Sequence, residues 1–168
     1  MKYQRTLSDG AVTLIPLSGS TSDLRFLLRL RNLPEVRRWL FYSGHIPYAS
    51  HLEWYLKHYL PDPLDLMWMI WWNGNKVGAV ALYNITPYCA EFGRLMIDPK
   101  ARGNKIAQRT SALVRDYAFE LLHLDYLYGS CKADNAHILH VDKLTGFQVI
   151  SEEDGIIYME LHRNAKAN

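Results

Sequence analysis

The residues best placed to do chemistry lie between Glu91 and Gln108, in the stretch EFGRLMIDPKARGNKIAQ. An apolar run, Phe92 to Ile97, is stopped by Asp98-Pro99, and a basic turn ends in Arg102-Gly103-Asn104-Lys105. Apolar or small residues then recur at Ile106, Ala107, Thr110, Leu113, Val114, Tyr117, Ala118 and Leu121, the spacing of one helix face. Strand, turn and helix follow in that order. The first backbone N–H groups of a helix have no partner inside it, so this turn predicts a phosphate site.

Arg102-Gly103-Asn104-Lys105-Ile106-Ala107 resembles the acyl-CoA pyrophosphate loop of the GNAT acetyltransferase superfamily, Q/R-x-x-G-x-G/A, preceded as here by an apolar strand and a proline. Arg102 takes the first place and Ala107 the last. Lys105 stands where the family usually has glycine, which lets the backbone approach the diphosphate closely. Either Lys105 turns outward and adds a cation, or the CoA site is altered. A second resemblance lies further on. In many members an Asn opens a helix that ends in Gly-Phe, with a Tyr partway along that acts on the departing thiol. Asn135 and Gly146-Phe147 fall at the usual separation, but Asp142 holds the tyrosine position. A phenol and a carboxylate differ by about six pKa units in water, so Asp142 serves as an acid only if burial protonates it. Arg31-Asn32 closing the first helix and His51 opening the third are similar to the branch that holds ribosomal-protein N-terminal and nucleotide-linked aminosugar acetyltransferases.

The resemblance implies a mixed α/β fold, with a central mixed sheet of about six or seven strands flanked by helices in one domain over residues 1–168. It implies acetyl-CoA as acyl donor and no metal. An amine attacks the thioester, negative charge grows on the carbonyl oxygen, and CoA leaves as a thiolate. Donors for that oxygen, and main-chain contacts for the pantetheine arm, are expected from a bulge at Leu95, Met96 and Ile97. The diphosphate is expected on Arg102 to Ala107, with Asn135 completing the donor site. Because a free alkyl amine is mostly protonated at neutral pH, a base is needed, and Glu91 at the start of the central strand is the first candidate. A solvated carboxylate at a strand end is an equal reading. Arg31, Asn32 and His51 are assigned to the acceptor. An aminosugar nucleotide is the first choice of acceptor, a protein N-terminus or small polyamine-type amine the next, and a non-catalytic module that binds CoA or a nucleotide the alternative class.

Other residue pairs carry less. His137 and His140 lie three apart on a predicted helix without a third ligand, so no metal site is expected. His51 and His58, one heptad apart, share a helix face. Arg94 is read as an ion-pair partner of Glu91. Cys89 and Cys131 have no metal spacing and are read as two buried, reduced thiols.

The elements that must position these residues follow from pattern and breakers. Val12 to Leu17 is a strand ended by Pro16. A helix runs from Leu24 to about Arg31, Pro34 opens a short second helix, and Ser50 caps a third. Leu66 to Trp72 and Val77 to Tyr83 flank Asn73-Gly74, a hairpin signal. Alternation sends Trp68 and Ile70 to one face and Met69 and Trp71 to the other; an exposed tryptophan edge would suggest a homodimer contact. Tyr126 to Cys131 reads as a strand, Asn135 to Leu144 as a helix, Phe147 to Ile150 as a strand, Ser151 to Gly155 as a turn, Ile156 to Leu161 as the closing strand, and the residues from His162 on as a frayed polar tail.

Composition bounds the rest. The 168 residues suffice for one core, with 49% apolar and 21% charged residues. Nineteen Lys and Arg against 17 Asp and Glu leave a formal charge of +2, too little to predict a nucleic-acid partner. The first ten residues lack the apolar core of a signal peptide, and Leu66 to Trp72 is far shorter than the roughly 20 residues a membrane helix needs. A soluble, cytoplasmic chain is expected.

Overall fold

A computed structural model describes residues 4–163 of the chain. One sheet holds eight strands: β1 (Leu7–Ser8), β2 (Val12–Pro16), β3 (Leu66–Trp72), β4 (Asn75–Tyr83), β5 (Cys89–Ile97), β6 (Tyr126–Lys132), β7 (Gln148–Glu153) and β8 (Ile156–His162). Their order across the sheet is β1-β2-β3-β4-β5-β6-β8-β7, antiparallel except for β5 beside β6. Helices α1 (Thr21–Asn32), α2 (Pro34–Arg37) and α3 (Tyr48–Trp54) precede β3; α4 (Ile106–Asp116) is the crossover between the parallel strands, and α5 (Ala136–Thr145) follows β6. The order is the mixed α/β plan expected, with one strand more. The addition is the two-residue β1, which the polar stretch around it does not announce; Asp9 sets its turn by accepting from the N–H groups of Ala11 and Val12.

Strand alternation divides the interior into two cores. Trp68 and Ile70 lie with Ile106, Val114 and Tyr117 of the α4 layer, while Met67 and Met69 lie with Leu24, Leu27 and Leu30 of α1. Trp68 has no exposed surface, meets Tyr117 edge-on at 5.4 Å between ring centroids, and gives its indole N–H to the Arg5 carbonyl at 2.8 Å. The aromatic surface is thus buried without stranding its donor.

Several boundaries differ from the pattern. After Asp116 the helix continues as a π turn, Tyr117–Leu121, in which the Leu122 N–H bonds to the Tyr117 carbonyl five residues back. The wider turn rotates the face, so Phe119 is buried and Leu121 is exposed. Ser50 lies inside α3 rather than capping it; the cap residue is Pro47, because Asn32 holds the preceding residue. Val149 to Glu153 stay in β7, leaving Asp154-Gly155 as the turn. His162 ends β8 opposite Tyr126 and stacks on its ring, which corrects its place in a frayed tail. Residues 164–168 of that tail lie outside the described residues. No helix among the described residues is long and apolar enough to cross a membrane.

The feature that makes a site is the parting of β5 and β6. They pair only at Cys89↔Tyr126, Ala90↔Leu127 and Glu91↔Tyr128. Just past the last pair, a Cβ on Gly129 would stand 2.9 Å from the Phe92 carbonyl oxygen, a contact only glycine avoids. Gly129→Ala should therefore lower stability by about 1–3 kcal/mol, the range for overpacking, seen as a fall in Tm of roughly 2–4 °C per kcal/mol. A Tm equal to that of the unsubstituted chain would show that the close approach is not a constraint.

Candidate active site

Beyond Glu91, β5 turns away from β6 and bulges. Ala79 pairs with Met96 and Ala81 with Gly93, so Arg94 and Leu95 together oppose Val80, with Arg94 in the left-handed region at φ 51°. The bulge expected at Leu95 to Ile97 is thus centred one residue earlier. The Asp98 N–H donates to Val77 of β4 at 2.7 Å. Extended residues alternate their N–H groups, so that of Ile97 faces the space β6 has left. This space is a cleft of about 1130 Å³ lined by Phe92 to Ile97 on one wall and Gly129 to Cys131 on the other.

At one end the cleft reaches the mouth of α4. Lys105 is the residue before the first helical turn, at φ 57° and ψ 18°, and it is exposed at the border of the cleft. No side chain caps the helix, so its leading N–H groups, from Ile106 on, are left for an anion. A Cβ built on Gly103 meets nothing within 4 Å, so the loop is open. Asn104 ties the loop to itself through the Ala101 and Arg102 carbonyls, at 3.0 and 3.3 Å. Arg102 reaches the Glu35 carbonyl at 3.4 Å. Met96, Ile106 and Ala107 are buried along the same cleft. An exposed lysine, an uncapped helix and an open glycine fit a diphosphate.

Across the cleft stands α5. Asn135 caps it, its Oδ1 accepting from the Ile138 N–H at 3.4 Å, while its side chain borders the cleft. Asp142 is 5% exposed, Oδ1 has no hydrogen-bond partner, and desolvation lifts its carboxyl to about 7. Burial thus shifts Asp142 towards the acid form that the tyrosine position would require. Next to it, burial and the Asp142 charge push the Cys131 thiol up to about 11. Both thiols are free.

Glu91 is held rather than merely solvated. It accepts from the Tyr83 hydroxyl at 2.8 Å and from Asn84 Nδ2 at 2.9 Å. Burial, then the bond to Glu91, holds the Tyr83 phenol well above its ordinary range. Arg94 does not pair with Glu91: its Nη1 lies 2.8 Å from both Asp65 oxygens and its guanidinium covers the Tyr83 ring at 4.1 Å. Alternation separates positions 91 and 94, and the left-handed turn at Arg94 places Tyr83 between them.

The three residues assigned to the acceptor separate. Arg31 lines the cleft, its guanidinium pKa lowered by burial and then by Arg94. Asn32 does not reach it: Nδ2 donates to the Ile46 carbonyl at 2.9 Å and Oδ1 accepts from the Ile46 N–H at 3.0 Å. His51 is 4% exposed, stacks on Trp54 at 5.4 Å, and lies outside the cleft lining. Burial, then Arg31, keeps its imidazole below the usual range and so neutral near pH 7. Asn32 and His51 therefore lie outside the lining, Asn32 holding the segment before α3 and His51 packed from α3 against α1. His137 and His140 border the cleft, and no group of three potential ligands for a metal occurs among the described residues.

Sequence reasoning missed Tyr83, Asn84 and the segment Trp39 to Tyr42, all of which meet Glu91 or the cleft. Tyr83 was within reach, because the β4–β5 hairpin register puts it opposite Glu91. The loop segment carries no periodicity that could have revealed it.

Comparison with known proteins agrees with this geometry. The family model for the GNAT acetyltransferase domain matches residues 12–148. A spermidine N(1)-acetyltransferase of Escherichia coli K12 is 31% identical over 144 residues, covering 84% of this chain and 75% of the relative. Among solved structures, spermidine N-acetyltransferase from Vibrio cholerae, in complex with CoA and spermine, superposes with a TM-score of 0.82 at 22% identity over 94% of this chain and 98% of that one. The Campylobacter jejuni N-acetyltransferase PseH, in complex with acetyl coenzyme A, gives 0.72 at 20% identity over 90% and 98%. The opened strands, the uncapped helix mouth and the family match converge, and the chain belongs to the GNAT acetyltransferases as an acetyl-CoA-dependent N-acetyltransferase.

Proposed function

We propose that the acceptor is an anionic one, a primary amine on a nucleotide-linked aminosugar. The observation that carries this reading is the positive charge on the lining of the cleft. Arg31 and Arg38 border the cleft, and among the described residues neither forms an ion pair. Phe41 and Tyr42 stand beside them, exposed. Unpaired guanidiniums attract a diphosphate bidentately and repel a polycation. The 31% identity to a spermidine N(1)-acetyltransferase supports a second reading, a polyamine acceptor, with Glu91 as its carboxylate partner.

In the proposed reaction, acetyl-CoA supplies the thioester. The helix mouth at Arg102 to Ala107 holds the diphosphate, and the β5 edge from Leu95 to Ile97 orients the acyl end. The N–H groups of that edge stabilise charge on the carbonyl oxygen. Glu91, steadied by Tyr83 and Asn84, removes a proton from the ammonium of the acceptor, directly or through one water, and passes it to solvent; the free amine forms the C–N bond, and its second proton leaves by the same route as the C–S bond breaks. Asp142, protonated below about pH 7, returns a proton to the departing sulfur.

Thiol release in an amine panel tests the acceptor. An aminosugar nucleotide should be acetylated and spermidine should not; the reverse result would establish the polyamine reading. Glu91→Gln should lower kcat by about 10²–10⁴-fold, the usual worth of a general base, with the acetyl-CoA Kd unchanged; unaltered turnover across pH removes Glu91 from the mechanism. For Asp142 the sign follows from its raised pKa. The acid form is the active one, so kcat should decline as pH rises through about 7. Asp142→Asn should lower kcat and abolish that decline. The same substitution should raise stability relative to the unsubstituted chain as pH climbs from the unfolded value near 4 to about 7, because in that window the unfolded aspartate ionises while the native one keeps its proton, and asparagine removes this loss. A decline that survives in the asparagine variant assigns the titration elsewhere.

A further inference from the structure

Residues 38–47, between α2 and α3, belong to no regular helix or strand, and the first of them, Arg38 to Tyr42, border the cleft. Phe41 and Tyr42 are 59% and 62% exposed. Such a segment has little packing of its own to hold it. Two side chains from distant parts of the chain grip its main chain instead. Asn32 clamps Ile46 at the far end. At the near end, Lys132 Nζ donates to the Arg38 carbonyl at 2.7 Å, across 94 positions of sequence.

Both partners sit where such a bond is useful. Arg38 is the residue closing α2, where helix carbonyls lack partners and a cation is favoured. Lys132 is the last residue of β6, beyond the point where β6 leaves β5. The bond therefore bridges the two halves of the molecule that the splayed strands separate. On the donor side the same layer is held by Arg102 on the Glu35 carbonyl at 3.4 Å and by the Arg29–Asp98 ion pair at 2.8 Å.

We infer that Lys132 is a positioning residue for acetyl transfer: it holds the end of α2 over the parted strands, and so fixes Trp39 to Tyr42 against the acceptor side of the cleft. Lys132→Met keeps the aliphatic stem and removes the donor, and Lys132→Arg restores a donor. Chymotrypsin, which cuts after aromatic residues, reads the segment directly in the full chain. Cleavage at Trp39 to Tyr42 should be about fivefold faster in Lys132→Met, the effect of one charge-assisted hydrogen bond, with Tm unchanged and Lys132→Arg close to the original rate. With the best amine found in the panel, the acceptor KM should rise by a similar factor, while kcat and the acetyl-CoA Kd stay within about twofold. Equal cleavage rates overturn the inference, as does faster cleavage with an unchanged acceptor KM. The proteolysis needs no acceptor, so a wrong choice of acceptor class leaves it decisive.

Discussion

Everything functional in this molecule depends on the early end of one strand pairing. Three residue pairs join β5 to β6, and then the strands diverge. A sheet that stayed paired would bury the backbone groups of Phe92 to Ile97 in a ladder and leave no cleft. Gly129 lets the strands come as close as they do before parting, and the bulge at Arg94 and Leu95 bends β5 away. The helix that must cross between the parallel strands then points its N-terminus along the opening. Donor groups for an anion and donor groups for a carbonyl are aligned by the same departure from regular pairing.

The burial that stabilises this arrangement also tunes its titratable groups. Asp142 sits in an apolar wall with an unsatisfied oxygen and is lifted to about 7; with partners it would be an ordinary carboxylate. Glu91, on β5 across the cleft from α5, has two hydrogen-bond donors instead. Two carboxyl groups of the same cleft thus meet different surroundings, one desolvated without a partner for Oδ1 and the other hydrogen-bonded through both oxygens. The buried His51 shows the third outcome, an imidazole kept neutral by desolvation and by Arg31.

How far a residue's role could be read locally depended on whether its neighbours in space were also its neighbours in sequence. The turn at Arg102 to Ala107 was legible because strand, turn and helix are consecutive. So was the hairpin at Asn73-Gly74, where both residues adopt positive φ. Asn32 was assigned to the acceptor from its local resemblance, whereas its partner in the structure, Ile46, is 14 positions away in a segment without pattern. Arg94 was paired with the carboxylate nearest in sequence, Glu91, while Asp65, 29 positions back, was nearer in space.

The amino-acid sequence alone determined the layered α/β plan, the two-sided alternation of β3, the strand, turn and helix that lead into α4, and the family. Each rests on periodicity or on turn chemistry, which act over a few residues. Only the tertiary structure decided that Asp142 is desolvated, and that Arg31 borders the cleft while Asn32 and His51 lie outside its lining. Those outcomes are set by burial and by partners brought together from distant positions, and no local pattern encodes either.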